Sequence, residues 1–167
     1  VLANVSGTVA PGRVVVVTGP NGSGKSTLLN ILAGALRPSA GRVRYLDGER
    51  EVERGGWFER IGMAAPDMAV YEELTALENL RFFAGVRGAA ADDHRLGELL
   101  GGLGLARSDQ GRRVATFSSG MKQRVKLAQA VVHDPEVLLL DEPSSNLDEA
   151  GHQATAALVA GFRARAA

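Results

Sequence analysis

The sequence has no cysteine, no net charge and no long apolar run, and each absence narrows the possible functions. Without cysteine among its 167 residues, the chain has neither disulfides nor thiolate metal sites, which fits a reducing compartment. Nineteen basic residues balance nineteen acidic ones, so charge gives no reason to expect direct binding to nucleic acid. The longest apolar runs, Val14–Val17 and Val137–Leu140, are too short to cross a bilayer. We therefore expect a soluble chain that forms one domain.

The strongest motif lies near the start of the chain, directly after an apolar run. It fits the pattern G-x-x-x-x-G-K-[ST] and consists of Gly19, Pro20, Asn21, Gly22, Ser23, Gly24, Lys25, Ser26 and Thr27. The surrounding pattern predicts a buried strand over Arg13–Thr18, then a phosphate-binding loop, then a helix over Ser26–Ala35. Glycines let backbone N–H groups surround an oxyanion, and the helix N-terminus adds positive charge. Lys25 would reach the β- and γ-phosphates and the Ser26 hydroxyl would bind Mg²⁺, whereas the alternative is a glycine-rich turn without a ligand.

Two further candidates, Asp141 and Glu142, follow a second apolar run. Val137–Leu140 is continuously apolar, which is typical of a strand buried on both faces. The carboxyl ends of parallel strands form the ligand-binding edge of an open α/β sheet, so we expect this acidic pair beside the phosphate-binding loop. Asp141 would hold Mg²⁺ through water, and Glu142 would orient the water that attacks the γ-phosphate. The loop and the pair together predict hydrolysis of a nucleoside triphosphate, whereas the pair alone also fits an ordinary turn.

Between these motifs the sequence predicts further β-structure. Arg42–Leu46 alternates polar and apolar residues ahead of Asp47-Gly48, which predicts an antiparallel strand entering a hairpin turn. Ile61–Ala64 fits another short buried strand. The fold class that follows is α/β, with a mostly parallel sheet core and an antiparallel portion.

The middle of the chain has a helical pattern. Thr75 and Glu78 form a capping box at the start of one helix, and Asp92–Leu100 is a second candidate. We therefore expect a helical subdomain over residues 66–133, within a single domain that spans residues 1–167.

A further helix is predicted after the polar loop Thr116–Gly120, and the chain ends in another over Asp148–Arg165. The polar face of the first of these helices carries Lys122, Lys126, Gln129 and His133. We expect this face to be solvated rather than to bind a ligand. His152 is expected on the surface of the last helix.

These segments resemble the ATP-binding cassette (ABC) family, the ATPase subunits of ABC transporters. Phe117-Ser118-Ser119-Gly120-Met121 is similar to the family's L-S-G-G-Q signature, which we refer to as the signature loop. Ser145-Asn146-Leu147-Asp148 is similar to its D-loop, and Thr75–Leu80 matches a segment at the start of its helical subdomain. The order and spacing cover nearly the whole chain. The resemblance implies a P-loop nucleoside triphosphate hydrolase fold with an inserted helical subdomain.

The resemblance also implies how such a domain works. In the family two domains pair head to tail, as a homodimer or a heterodimer, and the signature loop of one closes on the ATP held by the other. The residues that would act on the partner's ATP are Ser118, Ser119, Gly120 and Met121. The implied ligands are ATP and Mg²⁺. The implied partners are a second ABC ATPase domain and transmembrane permease subunits, which would hold the chain at the cytoplasmic face of a membrane.

Several positions depart from the family pattern. Ser119 replaces a signature glycine, and it would be strained if that position required a positive φ. Met121 replaces a glutamine, and Pro66 stands where the family usually has the glutamine that contacts Mg²⁺ and the membrane-facing groove. The aromatic residue that stacks on adenine would precede Val1, and the switch histidine would follow Ala167. We therefore expect a truncated chain that hydrolyses ATP slowly or not at all.

Two rival functions stay open from the sequence. A nucleotide-binding regulatory module with little turnover is favoured by Pro66 and Ser119 but opposed by Glu142. A soluble family member that acts on DNA or ribosomes is opposed by the neutral charge and by the lack of a long heptad insertion between Lys25 and Ser118.

Overall fold

The computed structural model describes residues 2–90 and 92–165, so the predicted domain limits at Val1 and Ala167 lie outside the described residues. In chain order the helices and strands are α1 (Lys25–Leu32), β1 (Leu46–Asp47), β2 (Arg50–Glu51), α2 (Trp57–Arg60), β3 (Ile61–Ala64), α3 (Ala76–Val86), α4 (Asp93–Gly102), α5 (Arg107–Gln110), α6 (Ser119–Val131), β4 (Val137–Leu140) and α7 (Glu149–Arg165). Short 3₁₀ turns cover Arg54–Gly56 and Val114–Thr116.

The parallel part of the fold consists of β3 and β4. Ile61 pairs with Val137 and Ala64 pairs with Leu140, so the two strands end together at one edge. Both strands were predicted. The expectation that β4 is buried on both faces holds only in part: Leu138 and Leu140 pack against the main core and Val137 and Leu139 lie in the smaller one, but only Leu139 is buried and the other three are half-buried. An apolar run predicts a strand, whereas its burial depends on which elements cover its two faces.

The strand predicted over Arg13–Thr18 is absent from this structure. Val14, Val15, Val16 and Val17 are between 42% and 77% exposed, and none of them belongs to a strand. β-Branched residues favour an extended backbone, but a strand also needs a neighbouring strand to complete its hydrogen bonds. Within the described residues no strand pairs with this segment.

The predicted hairpin forms, in a shorter version. β1 and β2 pair antiparallel around Gly48, with Leu46 opposite Glu51. Gly48 has a φ of 61°, the left-handed conformation that a tight hairpin turn requires. The turn after the predicted strand over Arg42–Leu46 is therefore correct. Of that predicted strand, only its last residue, Leu46, is paired, and the pairing continues into Asp47.

The main hydrophobic core joins the helices of the middle region to β3 and β4. α3 begins with the predicted capping box: the Thr75 hydroxyl accepts from the Glu78 amide, and the Glu78 carboxylate accepts from the Thr75 amide at 2.8 Å. The fully buried side chains of this core include Leu80, Leu96, Leu100, Leu105, Val114, Val125 and Leu127. These contacts fix α6, which follows the signature loop, against the parallel strands.

A second, smaller core holds the helix that follows the phosphate-binding loop. Leu29 and Leu32 of α1 pack against Trp57, Ile61 and Leu139. α1 ends earlier than predicted, and Gly34, with a φ of 78°, turns the chain away directly beside the Trp57 ring. The loop ahead of α1 is therefore connected to β3 and β4 through this small core.

No helix over residues 2–90 and 92–165 is both long enough and apolar enough to cross a membrane. The predicted subdomain over residues 66–133 contains α3 to α6, and its limits stay a prediction.

Candidate functional site

The loop at Gly19–Thr27 has the backbone conformation of a turn that side chains would obstruct. Gly22 and Gly24 have φ values of 79° and 98°, in the left-handed region that favours glycine. A Cβ at Gly19 would lie 2.8 Å from the Ser23 hydroxyl oxygen. Gly24 leads into α1, and its carbonyl accepts from the Leu28 amide at 2.8 Å. The loop therefore presents main-chain groups at the start of a helix, as the motif predicts.

Lys25 folds back over this loop. Its ammonium nitrogen Nζ donates to the carbonyl oxygens of Gly19 and Pro20, both at 2.9 Å. These carbonyls neutralise none of the charge, so the ammonium still favours an anion over the loop. Ser26, at the first turn of α1, is exposed.

Asp141 and Glu142 lie at the carboxyl edge of the parallel pair, as predicted. The Asp141 amide continues the ladder by donating to the Ala64 carbonyl at 2.8 Å, and the Asp141 residue is only 7% exposed. Glu142 is exposed, and its carboxylate accepts from the Ser145 hydroxyl at 3.2 Å. Glu142 also has a φ of 46°, which is uncommon for a residue with a side chain and costs of order 1 kcal/mol.

The phosphate-binding loop and the acidic pair are connected indirectly. Leu29 and Leu32 of α1 pack in the same small core as Leu139, two residues before Asp141. Within the described residues, no hydrogen bond or ion pair joins Gly19–Thr27 to Asp141 or Glu142. A ligand that contacts both would therefore bridge them.

The signature loop caps α6. Ser118 is the N-cap residue, and its hydroxyl oxygen accepts from the Met121 amide at 3.2 Å, which leaves the hydroxyl hydrogen free to donate. Ser119 is the first helical residue and does not have a positive φ, so the strain that its replacement of glycine could have caused is absent. Gly120 approaches Asn146 closely: a Cβ there would lie 2.6 Å from the Asn146 carbonyl oxygen.

Two side chains of α6 bind the segment that follows β4. Gln123, almost fully buried, donates from Nε2 to the Pro143 carbonyl at 3.2 Å. The Arg124 guanidinium, 12% exposed, pairs with the Asp148 carboxylate. The structure thus brings the signature loop and the helix that follows it together with two of the four predicted D-loop residues of the same chain, Asn146 and Asp148.

Asp148 also caps the following helix. Its carboxylate accepts from the Gly151 amide at 2.9 Å. That hydrogen bond, with the nearby Arg124 guanidinium, holds the pKa of Asp148 below its ordinary value. The charged form of Asp148 is therefore the one that this arrangement favours.

The expectation of a solvated polar face on α6 is wrong. The predicted face contacts other parts of the chain, through Lys122, Lys126, Gln129 and His133. Gln129 is 4% exposed and donates to Asn79, a fully buried residue that the sequence reasoning missed. The T-x-x-E-N spacing in Thr75–Asn79 could have indicated it, because a polar residue on the apolar side of a helix needs a partner.

His133 is a half-buried residue of the same face. Its ring nitrogen Nε2 lies 3.3 Å from the Ile61 carbonyl oxygen. Burial, and then the nearby Arg87 guanidinium, lower the pKa of His133 below its usual value. Arg87 itself stacks on the Phe58 ring and donates to the Ile61 carbonyl at 2.9 Å. We assign these contacts to the stability of the fold.

Comparison with known proteins identifies the class of fold first. A putative ABC transporter ATP-binding protein from Pyrococcus furiosus superposes with a TM-score of 0.75 over 89% of this chain and 71% of its own, at 22% identity, which shows the fold alone. The ATP-binding cassette MJ0796, solved as a dimer in a post-hydrolysis state bound to ADP and Pi, superposes with a TM-score of 0.83 over 98% of this chain and 75% of its own, at 27% identity. The fold is therefore that of a P-loop nucleoside triphosphate hydrolase, and the predicted α/β class is confirmed.

Sequence comparison then gives the family. The family model described as ABC transporter matches residues 2–145, so the chain belongs to the ABC transporter family, as an ATP-binding domain. A fluoroquinolones export ATP-binding protein of Mycobacterium tuberculosis is 37% identical over 158 residues, 95% of this chain and 52% of its own. A taurine import ATP-binding protein of Pseudomonas fluorescens is 43% identical over 150 residues, 89% of this chain and 55% of its own. The chain thus spans about half the length of the curated relatives it matches.

Proposed function

We propose that this chain binds and hydrolyses ATP as the nucleotide-binding part of an ABC transporter, and so powers transport across a membrane. The observation that carries the proposal is the combination of two elements. One is a glycine-rich loop whose cationic side chain, Lys25, is bonded, among the described residues, only to main-chain carbonyls of that loop. The other is the acidic pair that follows β4, a strand that shares a small hydrophobic core with α1. Family membership supports the same function. The relatives named above include an exporter and an importer, so the proposal states no direction of transport.

The phosphates would lie over the loop at Gly19–Thr27. Gly22 and Gly24 have the positive φ values that allow main-chain N–H groups to surround an anion, and the start of α1 adds the positive end of its dipole. Lys25 would exchange its two carbonyl partners for phosphate oxygens, which are charged and therefore stronger acceptors.

The residues present fit a magnesium ion. Mg²⁺ keeps several waters and needs only one or two carboxylates beside phosphate oxygens, and Asp141 and the Ser26 hydroxyl supply such a donor set. Bound there, Mg²⁺ would neutralise negative charge on the phosphates. The Asp141 amide is held in the ladder with Ala64, so the main chain that carries this carboxylate has a fixed position at the sheet edge.

Glu142 is the proposed catalytic residue. Its left-handed backbone projects it from the strand end, and the Ser145 hydroxyl binds its carboxylate. A strained, exposed carboxylate next to a buried one fits a group that orients and polarises an attacking water. Proton acceptance by Glu142, with the water oxygen bonding to the γ-phosphorus and the ADP oxygen leaving, completes the reaction.

The signature loop indicates how this domain would pair with a second one. Ser118 keeps a free hydroxyl hydrogen, and the first turn of α6 presents main-chain N–H groups; both are suited to an anion. We propose that Ser118–Met121 bind the ATP of a second ABC ATPase domain in a head-to-tail dimer, and that transmembrane subunits hold this dimer at the cytoplasmic face of the membrane. The solved cassette that is a dimer supports the pairing of two such domains.

The test uses the full-length protein with two substitutions. Lys25→Ala should weaken ATP binding about 10- to 100-fold, because it removes a charge-assisted contact. Arg37→Ala, which removes an exposed cation beyond α1, is the matched control and should bind normally. Glu142→Gln should keep ATP binding and lower kcat about 10²- to 10⁴-fold. Unchanged affinity with Lys25→Ala would exclude the loop as the site, and equally negligible turnover with and without Glu142 would favour a regulatory nucleotide-binding module.

A further inference from the structure

One asparagine of the phosphate-binding loop differs from the others of the chain in the residue that follows it. Asn21 is followed by Gly22. The other four, each followed by valine, isoleucine or leucine, are Asn4, Asn30, Asn79 and Asn146. Asparagine is a chemically labile side chain, because the main-chain nitrogen of the next residue can attack it. Glycine has no side chain to hinder that attack, so Asn21-Gly22 is the place in this sequence where the reaction is fastest.

Both reacting groups are exposed and unbonded. Asn21 and Gly22 are the two central residues of a turn, which the Ser23 amide closes by donating to the Pro20 carbonyl at 3.2 Å. Within the described residues, neither the Asn21 side-chain amide nor the Gly22 N–H forms a hydrogen bond. Apart from its chain neighbours, no heavy atom of the described residues lies within 4 Å of the position that a Cβ of Gly22 would take. The described fold therefore gives this peptide neither a hydrogen bond nor steric cover against the reaction.

The reaction of such a pair is deamidation through a cyclic imide. The Gly22 nitrogen loses its proton and bonds to the side-chain carbonyl carbon of Asn21, and the C–N bond of the side-chain amide breaks. Ammonia leaves with a proton. Water then adds to either carbonyl carbon of the five-membered imide and opens it, so water is the only co-reactant. The product is an aspartate, or an isoaspartate whose main chain runs through the former side chain, and each adds one negative charge.

A negative charge at position 21 would oppose the proposed ligand. Asn21 directly follows Pro20, whose carbonyl accepts from the Lys25 ammonium at 2.9 Å. A carboxylate in this turn would attract the cation that the proposed function assigns to the β- and γ-phosphates, and would repel the phosphates themselves. Isoaspartate would in addition lengthen the main chain in a turn where Gly22 has a φ of 79°. Either product would therefore weaken nucleotide binding.

We propose that Asn21-Gly22 is a site of spontaneous deamidation that inactivates the phosphate-binding loop, and that a bound nucleotide protects it. The protection rests on the proposed function, because a triphosphate over the loop would bond main-chain N–H groups of the turn and hold the attacking nitrogen in place. The nucleotide-free protein ages into a form that binds nucleotide poorly, whereas the occupied protein keeps its loop intact.

The experiment incubates the full-length protein for days near neutral pH, with and without adenylyl imidodiphosphate, an ATP analogue that resists hydrolysis. Peptide mass spectrometry measures the fraction of each asparagine that is converted. Asn4 is the internal control, because it is also exposed but is followed by a β-branched residue. Converted protein carries one more negative charge, so anion exchange separates it for a measurement of its affinity for the analogue. The control variant is Asn21→Gln, which would have to close a six-membered ring and therefore reacts far more slowly.

Without nucleotide, Asn21 should deamidate about tenfold faster than Asn4, or more. With the analogue at about ten times its Kd, the rate at Asn21 should fall about tenfold, because only the unoccupied loop reacts. The converted protein should bind the analogue about tenfold more weakly than the intact protein. The affinity of Asn21→Gln should not change during the incubation.

Three results would overturn the proposal. These are equal rates at Asn21 and Asn4, full affinity of the converted protein, and binding of the analogue without protection of Asn21. Failure of the intact protein to bind the analogue would instead overturn the proposed function. The ratio of the rates at Asn21 and Asn4 separates the two failures, because its measurement needs no nucleotide.

Discussion

Gly120 of the signature loop lies so close to Asn146 of the D-loop that a single added methyl group would meet the Asn146 carbonyl oxygen at 2.6 Å. The opposing atom belongs to the backbone, so neither side can move without shifting a whole segment. The glycine of this motif is therefore required here for packing within one chain, in addition to any role at a nucleotide.

Gly120→Ala should destabilise the fold and lower ATP hydrolysis together. Overpacking against backbone costs about 1–3 kcal/mol, which outweighs the helix propensity that alanine gains. The measurement is the free energy of unfolding in urea, with kcat determined on the same samples. Gly85→Ala in α3, where no heavy atom lies within 4 Å, is the control, and it should stabilise the protein by about 0.5–1 kcal/mol. Equal behaviour of the two variants would contradict the close contact.

Arg124 and Asp148 should prove energetically coupled. Arg124 is nearly buried and Asp148 also caps α7, so removing either should weaken the contact between α6 and the D-loop. A double-mutant cycle with Arg124→Met and Asp148→Asn measures this coupling, which should be favourable and should weaken as salt is added, because the Asp148 side chain is 66% exposed. Strictly additive effects would show that the pair contributes nothing.

Asn79→Ala should lower the free energy of unfolding more than most single substitutions do. The side chain is fully buried and bonds the amide and the carbonyl of Tyr71 at 2.8 and 2.9 Å, so truncation leaves two main-chain groups without partners. We expect a loss of about 2–3 kcal/mol in the free energy of unfolding. Gln153→Ala, which removes an exposed amide from α7, should change it by less than about 0.5 kcal/mol. A small effect at Asn79 would mean that water replaces its bonds.

The fold should lose stability between pH 7.5 and 5.5 through His133. Burial and the Arg87 guanidinium lower the pKa of this imidazole in the fold, so the unfolded chain binds a proton more readily. Above the pKa of the unfolded chain, near 6.5, His133 is neutral in both states and the free energy of unfolding is at its full value. That free energy declines as the pH falls below this pKa, because the unfolded chain takes up the proton first. Urea unfolding at the two pH values measures the loss. His133→Gln should reduce the pH dependence, whereas His94→Gln, at an exposed position, should retain it.

Local patterns in the sequence predicted several local features around the candidate site. The G-x-x-x-x-G-K-[ST] spacing, the capping box at Thr75 and Glu78, and the acidic pair after Val137–Leu140 each depend on neighbours within a few residues, and each appears in the structure as expected. The family was also recognisable from the sequence, because the motifs occur in a specific order.

Tertiary structure determined the burial and the long-range contacts, which local patterns cannot predict. Val14–Val17 has the composition of a buried strand, yet its exposure depends on whether another strand lies beside it. The polar face of α6 was expected to be solvated because the charge and spacing of its residues carry information about that helix alone. The partners of Lys126 and Gln129 are 60 and 50 residues away in sequence, so that pattern could not reveal them. A motif determines the chemistry available at a position. Only the packing of distant segments determines which of those groups meet.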